Sequence, residues 1–599
     1  MGTMKSGINL EEILSGLRKD ITLISLRDFK TLLRRLEHEG VSFLTKTLPL
    51  LGKAIDSAFE TGRLETPTNF QRYKSSALPC LFRGLLSRIF QENGELLECA
   101  DTSCIKDIRQ ICYLFNKIKS EPTAAQRRGA VNKFLAIEEE NTRFHESDLS
   151  IRSLVILEKA QEIAASILSG LDLREIVPTD GPGAVADKRS HQTRLQFNTI
   201  YEDLHGKYPY YSYYIYSSFD LRDRAAHYLS TPKVKTGASR FCLVPKDSRG
   251  PRIITIEPAE YQYIQQGQRR AFVRHVENHP ETRGFINFSD QGINNGLAEA
   301  SSITRRHTTL DLSDASDRVT ARLVKLLTKE HWEFLNATRT KFVNIPGSFT
   351  GLQEDKIVPV HKFAGMGSAM CFPIEAFCFY CIVRASLLYL GVHSRPYVYG
   401  DDIIIPAGHK AFITDVLAGF SLKVNESKSF ENGFFRESCG GDYFKGVDVT
   451  PIRLRVDGTN QVDLISLIET CNQLHQQGLW SVEKSIRNYI EKSSTWKKFG
   501  VTIYSHPRPA PASFQQYFSK GPWWAPSAVV LGRRTARWHK GYQRWLYPTF
   551  IKKSEKSIVP PVKEGISENV PGLILRWSGK TKGTDTSARC FTSSEKILS

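Results

Sequence analysis

Apolar residues recur at helical spacing through Leu26 to Leu36 and again through Ile151 to Leu171. That is one face of a 3.6-residue repeat, so the first two hundred residues read as mainly helical. From about residue 240 the period changes. Phe241 to Pro245 and Ile253 to Glu257 are short β-rich runs flanking the polar stretch Lys246 to Arg252, a hairpin-like pattern. Thr308 to Leu312 reads as a further strand, followed by a helix through Val319, Leu323 and Leu327. The longest apolar run, Cys371 to Val392, contains Glu375 and Arg384, which would carry charge into lipid, so a buried helix fits it better than a membrane span. Pro178 to Gly183 is a loop signal able to approach a phosphate, and Tyr208 to Tyr216 is rich in tyrosine, fitting a core or surface strand as readily as base stacking. After Pro451 helices return; from Gly521 the chain is rich in Trp, Pro, Arg and Lys, and past Ser554 it reads as a loose tail. There is no internal repeat.

Composition narrows the class. With 599 residues, 41% hydrophobic and 24% charged, the chain can bury a large core. Lys and Arg outnumber Asp and Glu by 81 to 63, a formal +18, which favours a polyanionic partner: nucleic acid first, an anionic membrane second. The first residues carry charges where a signal peptide needs an apolar core, and the myristoylation-like Gly2 to Ser6 is discounted as short. Eleven cysteines follow no disulfide framework, and the CxxC at Cys378 and Cys381 lies inside the apolar run without a second pair or a histidine nearby, so they read as reduced core thiols.

Two acids interrupt the apolar stretch YVYGDDIII, at Asp401 and Asp402. The pattern predicts a β-hairpin turning near Gly400 and Asp401, with Ile403 to Ile405 running back. On its own this fits an acidic turn equally well. A second strand end, HTTLDLSDASD from His307 to Asp317, carries Asp311 between apolar residues. Carboxylates brought together repel unless a cation neutralises them, so Asp311 and Asp401 imply a divalent metal, most naturally magnesium. Two such ions about 4 Å apart activate an attacking hydroxyl and stabilise a leaving phosphate oxygen. Lys246, Arg249 and Arg252 offer charge for a triphosphate, or are solvated loop cations. Gly365 to Met370 gives a flexible loop with the hydroxyl of Ser368, which fits a backbone approach to substrate or a helix cap. Asn425 and Lys428 return a cation toward the phosphates, or lie on the surface.

The order of these motifs resembles the RNA-dependent RNA polymerases, and most closely the replicase catalytic (beta) subunit of leviviruses, the small positive-strand RNA phages. The resemblance runs through FCLVPKDSRGPRIITIEP, DQGINN, LDLSDASD, GMGSAMCFPIE, YGDD and FRESCGGDYFKGVDVTP, with GVSFLTKTLPLLGK near the N-terminus. It implies an α+β right-hand fold of fingers, palm and thumb, an antiparallel palm sheet and a largely helical remainder. On that basis residues 1–240 form a mostly helical region contributing to fingers and partner binding. Residues 241–306 form fingers with the basic nucleotide segment, 307–450 the palm with inserted finger helices, 451–553 the thumb and C-terminal helices, and 554–599 a basic tail. The implied activity is RNA-templated addition of ribonucleotides to an RNA 3′ end.

By the same resemblance Asp311, Asp401 and Asp402 hold two magnesium ions, with manganese a substitute. Asp317 and Ser368 sit near the incoming ribose, Lys246 and Arg252 line the path by which nucleotides enter, and Arg436 and Glu437 seat the primer end. Here Ser316 stands where the commoner viral motif carries an acid, with Asp317 next to it, and Ser368 stands where some relatives carry asparagine. The implied partners are template and product RNA, rNTPs, host elongation factors Tu and Ts and an RNA-binding ribosomal protein, in the cytoplasm of a bacterial host. The segment Arg533 to Trp545 interleaves cations with aromatics, which suits an RNA-tracking surface or helix packing. Two other readings stand beside this one: a reverse transcriptase with a related palm, and a non-catalytic basic RNA-binding protein in which the acids are structural.

Overall fold

A computed structural model of the chain describes residues 7–189, 195, 197–214, 226, 228–351, 353–459 and 463–492, and the short strand segments 537–539, 544–546, 549–551 and 589–591. Those segments apart, the basic and aromatic stretch 533–545 and the tail past Ser554 lie outside the described residues, as do Ile215 and Tyr216 at the end of the tyrosine-rich run.

Helices dominate the first part of the chain, as the periodicity predicts. They are α1 (Leu10–Asp20), α2 (Leu26–Glu39), α3 (Leu48–Thr61), α4 (Thr102–Tyr113), α5 (Ala124–Thr142) and α6 (Ile151–Leu168). Their starts are set by side-chain caps. Ser25 and Asp28 form a reciprocal capping box on α2, and Thr123 and Gln126 do the same on α5. Further on come α7 (Ala259–Asn278), α8 (Gly292–Thr304), α9 (Cys371–Tyr389), α10 (Asp463–Gln476) and α11 (Trp480–Lys492). Helix α9 is the apolar run, and 89% of its most hydropathic window is buried inside the protein. Its Arg384 is neutralised by Glu281 and held by the carbonyls of His393 and Ser394, so the charge that argued against a membrane is satisfied in the core.

Among the described residues, three sheets of three or more strands stand among the helices. β1 (Ala238–Asp247) and β2 (Gly250–Ile256) form the expected hairpin; β1 continues in parallel to β4 (Phe342–Ile345), which pairs antiparallel with β5 (Lys356–Pro359). β3 (His307–Asp311), β7 (Asp402–Pro406) and β6 (Tyr397–Tyr399) form an antiparallel sheet in that order. β8 (Phe435–Ser438), β9 (Gly441–Phe444) and β10 (Val447–Asp448) form a third. The fold is thus α+β.

The buried apolar residues do not follow the order of the chain. One cluster joins Ile8 to Ile118 with Phe430 to Ile490, so the N-terminal helices share a core with the C-terminal ones. A second gathers α6, α9 and the strands β3 and β7, and a third packs α5 on the sheet of β1, β4 and β5 through Phe134, Phe241 and Val343. Close contacts hold the first cluster together: a Cβ on Gly52 would meet the Tyr113 ring at 2.7 Å, and Phe435 stacks on Phe59 at 5.4 Å.

Candidate active site

The turn between β6 and β7 is built from two residues, Gly400 and Asp401, because Tyr399 pairs directly with Asp402. Gly400 has φ +60°, and Asp401 is not among the residues of positive φ, the pattern of a II′ turn that demands glycine first. The isoleucines Ile403, Ile404 and Ile405 are fully buried, so the ribbon that carries the acids is fixed by packing. On the other side of β7 the register sets Asp311 directly opposite Asp402. Residues so placed in an antiparallel ladder have Cβ atoms about 4.5–5.5 Å apart and side chains on one face. Two strand ends nearly a hundred residues apart in sequence therefore present carboxylates together, with Asp401 at the adjoining turn.

Crowding and burial show in the electrostatics. The Asp402 carboxyl is pushed up to about 7, first by burial and then by Asp401, with Asp311 and Glu437 adding to it and the Cys439 N–H opposing. Burial also raises Asp311, against the pull of Lys428 and Asn425. Asn425 donates through Nδ2 to Asp311 Oδ2 at 2.8 Å, and Lys428 Nζ lies 3.3 Å from Asp311 Oδ1 and 3.6 Å from Glu437. Burial works against the Lys428 ammonium, yet Glu437, Asp311 and Asp402 together hold it above the ordinary lysine value.

Among the described residues no three Asp, Glu, His or Cys side chains are gathered closely enough to hold a metal ion. The donor chemistry nevertheless fits one. The donors are hard carboxylate oxygens whose repulsion a divalent cation would relieve, and in this conformation Lys428 supplies the counter-charge.

The other predicted site residues divide. Lys246, Arg249 and Arg252 are all exposed on the β1–β2 hairpin, whose tip is held by Gln126 donating to the Ser248 carbonyl at 2.9 Å and by Ser248 donating to that of Thr45 at 3.2 Å. Arg249 is tied to the buried Asp247 through two nitrogens, while burial, Arg252, Arg249 and Lys428 press the Lys246 ammonium below its usual value. The hairpin and Lys428 thus share one field. Asp317 is paired with the buried Lys362 at 2.6 Å, and Ser368 is half-buried, accepting from the Met370 N–H at 3.3 Å.

Two readings change on contact with the structure. The Gly365 to Met370 loop does not hold its backbone open toward a substrate: a Cβ on Gly365 would collide with the Thr255 hydroxyl and one on Gly367 with the Thr255 carbonyl. Met366 accepts from the Thr255 N–H at 3.1 Å. These glycines let the loop before α9 lie flat on β2, coupling the β1–β2 hairpin to the helix. Arg436, expected to meet RNA, is fully buried. Its guanidinium donates to the carbonyls of His307, Gly433, Phe435 and Glu431 at 2.6–2.8 Å, which ties the start of β3 to β8. Glu437, next to it, does face the site and approaches Lys428.

Sequence reading also passed over three residues. Asn294 of α8, in the DQGINN motif, is buried and donates to the Asp402 carbonyl at 3.4 Å. Glu375 of α9 is buried with Oε2 unpartnered among the described residues, and burial, Asp401 and Asp317 hold its carboxyl well above the usual range. Its only signal was an acid inside an apolar helix. Lys117 is lowered to about 8 by burial and by Arg249, Lys246 and Arg453. It reaches the hairpin from a segment that pairs with 454–455 through Leu454 to Leu114 and Lys119 to Arg455 backbone bonds, a proximity no local pattern encodes.

Comparison with known proteins meets this geometry. A family model described as RNA replicase, beta-chain, matches residues 213–499. The chain is 33% identical over 243 residues to the RNA-directed RNA polymerase beta chain of Enterobacteria phage fr, covering 41% of this chain and 42% of that protein. It is likewise 33% identical over 236 residues to that of Escherichia phage MS2, covering 39% and 41%. To the RNA-directed RNA polymerase subunit beta of Qbeta virus (strain MX1) it is 33% identical over 245 residues, covering 40% and 39%. The matches span about two fifths of the length of these relatives. The resemblance to leviviral replicases read from the motifs is thereby shown.

Proposed function

We propose that this chain is an RNA-directed RNA polymerase that copies the genome of a positive-strand RNA phage. The observation that carries the reading is the register of β3 against β7, which sets Asp311 opposite Asp402 beside the turn residue Asp401, within the region matched by the replicase model. In this reading β3, β6 and β7 are the palm sheet, the β1–β2 hairpin belongs to the fingers, and α10 with α11 belongs to the thumb.

Asp311, Asp401 and Asp402 would hold two magnesium ions. When bound, the ions polarise the 3′-hydroxyl and the leaving phosphate oxygen of an in-line displacement. The chain's own part is to aim and to neutralise. Gly400 and the buried isoleucines fix Asp401; Asn425 orients the Asp311 carboxylate through its Oδ2. Lys246 and Arg252, with Arg249 tied more closely to Asp247, form the positive wall for a triphosphate, and Lys428 stands between that wall and the carboxylates. Asp317, in the turn after β3, and Ser368, in the loop before α9, are assigned to the ribose, where a 2′-hydroxyl separates RNA precursors from DNA precursors. The seating of a primer end falls to Glu437, since the Arg436 guanidinium is spent on carbonyls. Host elongation factors Tu and Ts and an RNA-binding ribosomal protein are the proposed partners, in the bacterial cytoplasm.

A template-dependent incorporation assay with magnesium and four rNTPs, run on the chain alone and with those host proteins, tests the reading. RNA synthesis that Asp401→Asn abolishes is expected; extension with dNTPs but not rNTPs would instead identify a reverse transcriptase.

A further inference from the structure

Away from the strands that carry the acids, α2 and the segments 69–71 and 80–81 wall a groove of about 790 Å³. It belongs to the body whose core joins the N-terminal and C-terminal helices, whereas β3 and β7 belong to another. Arg27, Lys30 and Arg34 line it, all three exposed and none in an ion pair among the described residues. The acid in its lining, Asp28, is 6% exposed and already spent. Its Oδ2 accepts from Ser25, and its Oδ1 accepts from the Phe82 N–H at 2.9 Å. The lining thus carries four cations, Arg27, Lys30, Arg34 and Arg35, against the single acid Asp28, an excess of positive charge.

Its walls are also tied to each other. The Arg35 guanidinium lies over the Phe43 and Phe70 rings at 4.4 and 5.1 Å and donates to the Asn69 carbonyl at 3.2 Å, bolting α2 to the opposite wall. Placing Arg27 and Lys30 in the first turn and a half of α2 sets positive charge against the positive end of the helix dipole. That arrangement costs the helix stability, and an anion in the groove would recover it. The three cations stand at spacings of three and four residues, about 4.5 and 6 Å along the axis. A line of regularly spaced point charges suits a polymer of phosphates better than one small anion.

We propose that this groove is a second polyanion site, which takes the phosphodiester backbone of single-stranded RNA outside the catalytic centre. The choice of RNA rests on the polymerase reading; the preference for a phosphate polymer does not. The test uses the full chain with Arg27, Lys30 and Arg34 changed to Gln together, against a control with Arg128, Arg269 and Arg274 changed to Gln. Binding of an unstructured, labelled RNA about 20 nucleotides long is followed by fluorescence anisotropy from about 50 to about 300 mM KCl. With about 0.7 of logarithmic salt slope per phosphate contact on a single strand, the groove variant should lose about 2 from the slope while the control keeps it. Its melting temperature should stay level or rise, because charges opposing the helix dipole have gone. Incorporation on a short template should be unaffected. Equal slopes in wild type, groove variant and control would overturn the proposal, as would loss of binding to poly-glutamate without loss of binding to RNA. If the wild type makes no RNA either alone or with the host proteins but the slope still falls, the polymerase reading fails and the groove stands.

Discussion

Gly400→Ala puts the site's construction to the test. Two costs follow from the structure. A Cβ at φ +60° costs about 1–2 kcal/mol for the left-handed conformation. The same Cβ would overlap the Phe372 ring at Cε2, with Cδ2 at 3.0 and Cζ at 3.2 Å. That ring is itself set edge-on to Tyr399 at 5.2 Å, so its displacement counts as overpacking, about 1–3 kcal/mol. The total, roughly 2–5 kcal/mol, falls on the one turn that aims Asp401. A shift of even about 1 Å there is enough to cost on the order of 100-fold in rate. Melting temperature and rNTP incorporation should both drop. Phe372→Leu in the Gly400→Ala background should relieve the overlap but not the backbone strain, so the double variant regains part of the stability. Wild-type synthesis and melting in Gly400→Ala, or a double variant no better than the single one, would refute the account of why glycine precedes the acids.

Asp311→Asn and Asp401→Asn should each abolish synthesis while melting within a few degrees of wild type, since neither opens a core cavity; an unfolded variant or retained synthesis counts against the metal role. Magnesium should raise the wild-type melting temperature and do so less in both variants, a check by thermal shift that needs no catalysis. Arg436→Met should destabilise by at least about 3 kcal/mol, because charge-assisted bonds to four carbonyls are lost; rapid cleavage of the variant in limited proteolysis is the expected sign. Glu257 is buried, and that burial lifts its carboxyl to about 7 despite Thr340 and Arg339. A raised carboxyl favours the neutral form in the folded state. Its contribution is therefore full below the unfolded value near 4.5 and lost as pH rises through about 7, with a ceiling of roughly 3 kcal/mol. Glu257→Gln should accordingly narrow the fall in melting temperature between about pH 5 and about pH 8; an unchanged fall would show that this carboxyl does not ionise in that window.

What the chain discloses before folding depends on the range over which each feature is encoded. The turn at Gly400 and Asp401 was legible because glycine and the alternation of Tyr, Val and Ile act within a few residues. The meeting of Asp311 with the second acidic stretch was inferable from chemistry, since two strand-end acids ask for one cation. That Asp402, rather than Asp401, lies directly opposite is set by a register fixed only when the buried faces of β3 and β7 are matched. The glycines at 365 and 367 looked free for a ligand because their partner, Thr255, is more than a hundred residues away. The burial of Arg436 is hidden from the sequence for a related reason: its partners are backbone carbonyls, which every sequence has and none advertises.

Lys428 joins the two halves of the site and supplies a last, sharper consequence. Its ammonium lies 3.3 Å from Asp311 and 3.6 Å from Glu437, where it offsets carboxylate repulsion that a divalent ion would otherwise offset. Lysine and metal therefore compete for the same negative charge at Asp311. In Lys428→Gln the metal-free site loses its counter-ion, while the hydrogen bond from Asn425 to the other oxygen of Asp311 remains to hold the carboxylate in place. The metal-free variant should melt below wild type, and magnesium should raise its melting temperature by more than it raises that of wild type, because binding no longer displaces a cation. A magnesium-dependent rise equal to or smaller than that of wild type would mean that Lys428 and the metal answer to different charges. The carboxylates on β3 and at the β6–β7 turn would then not act as the single cation site their register suggests.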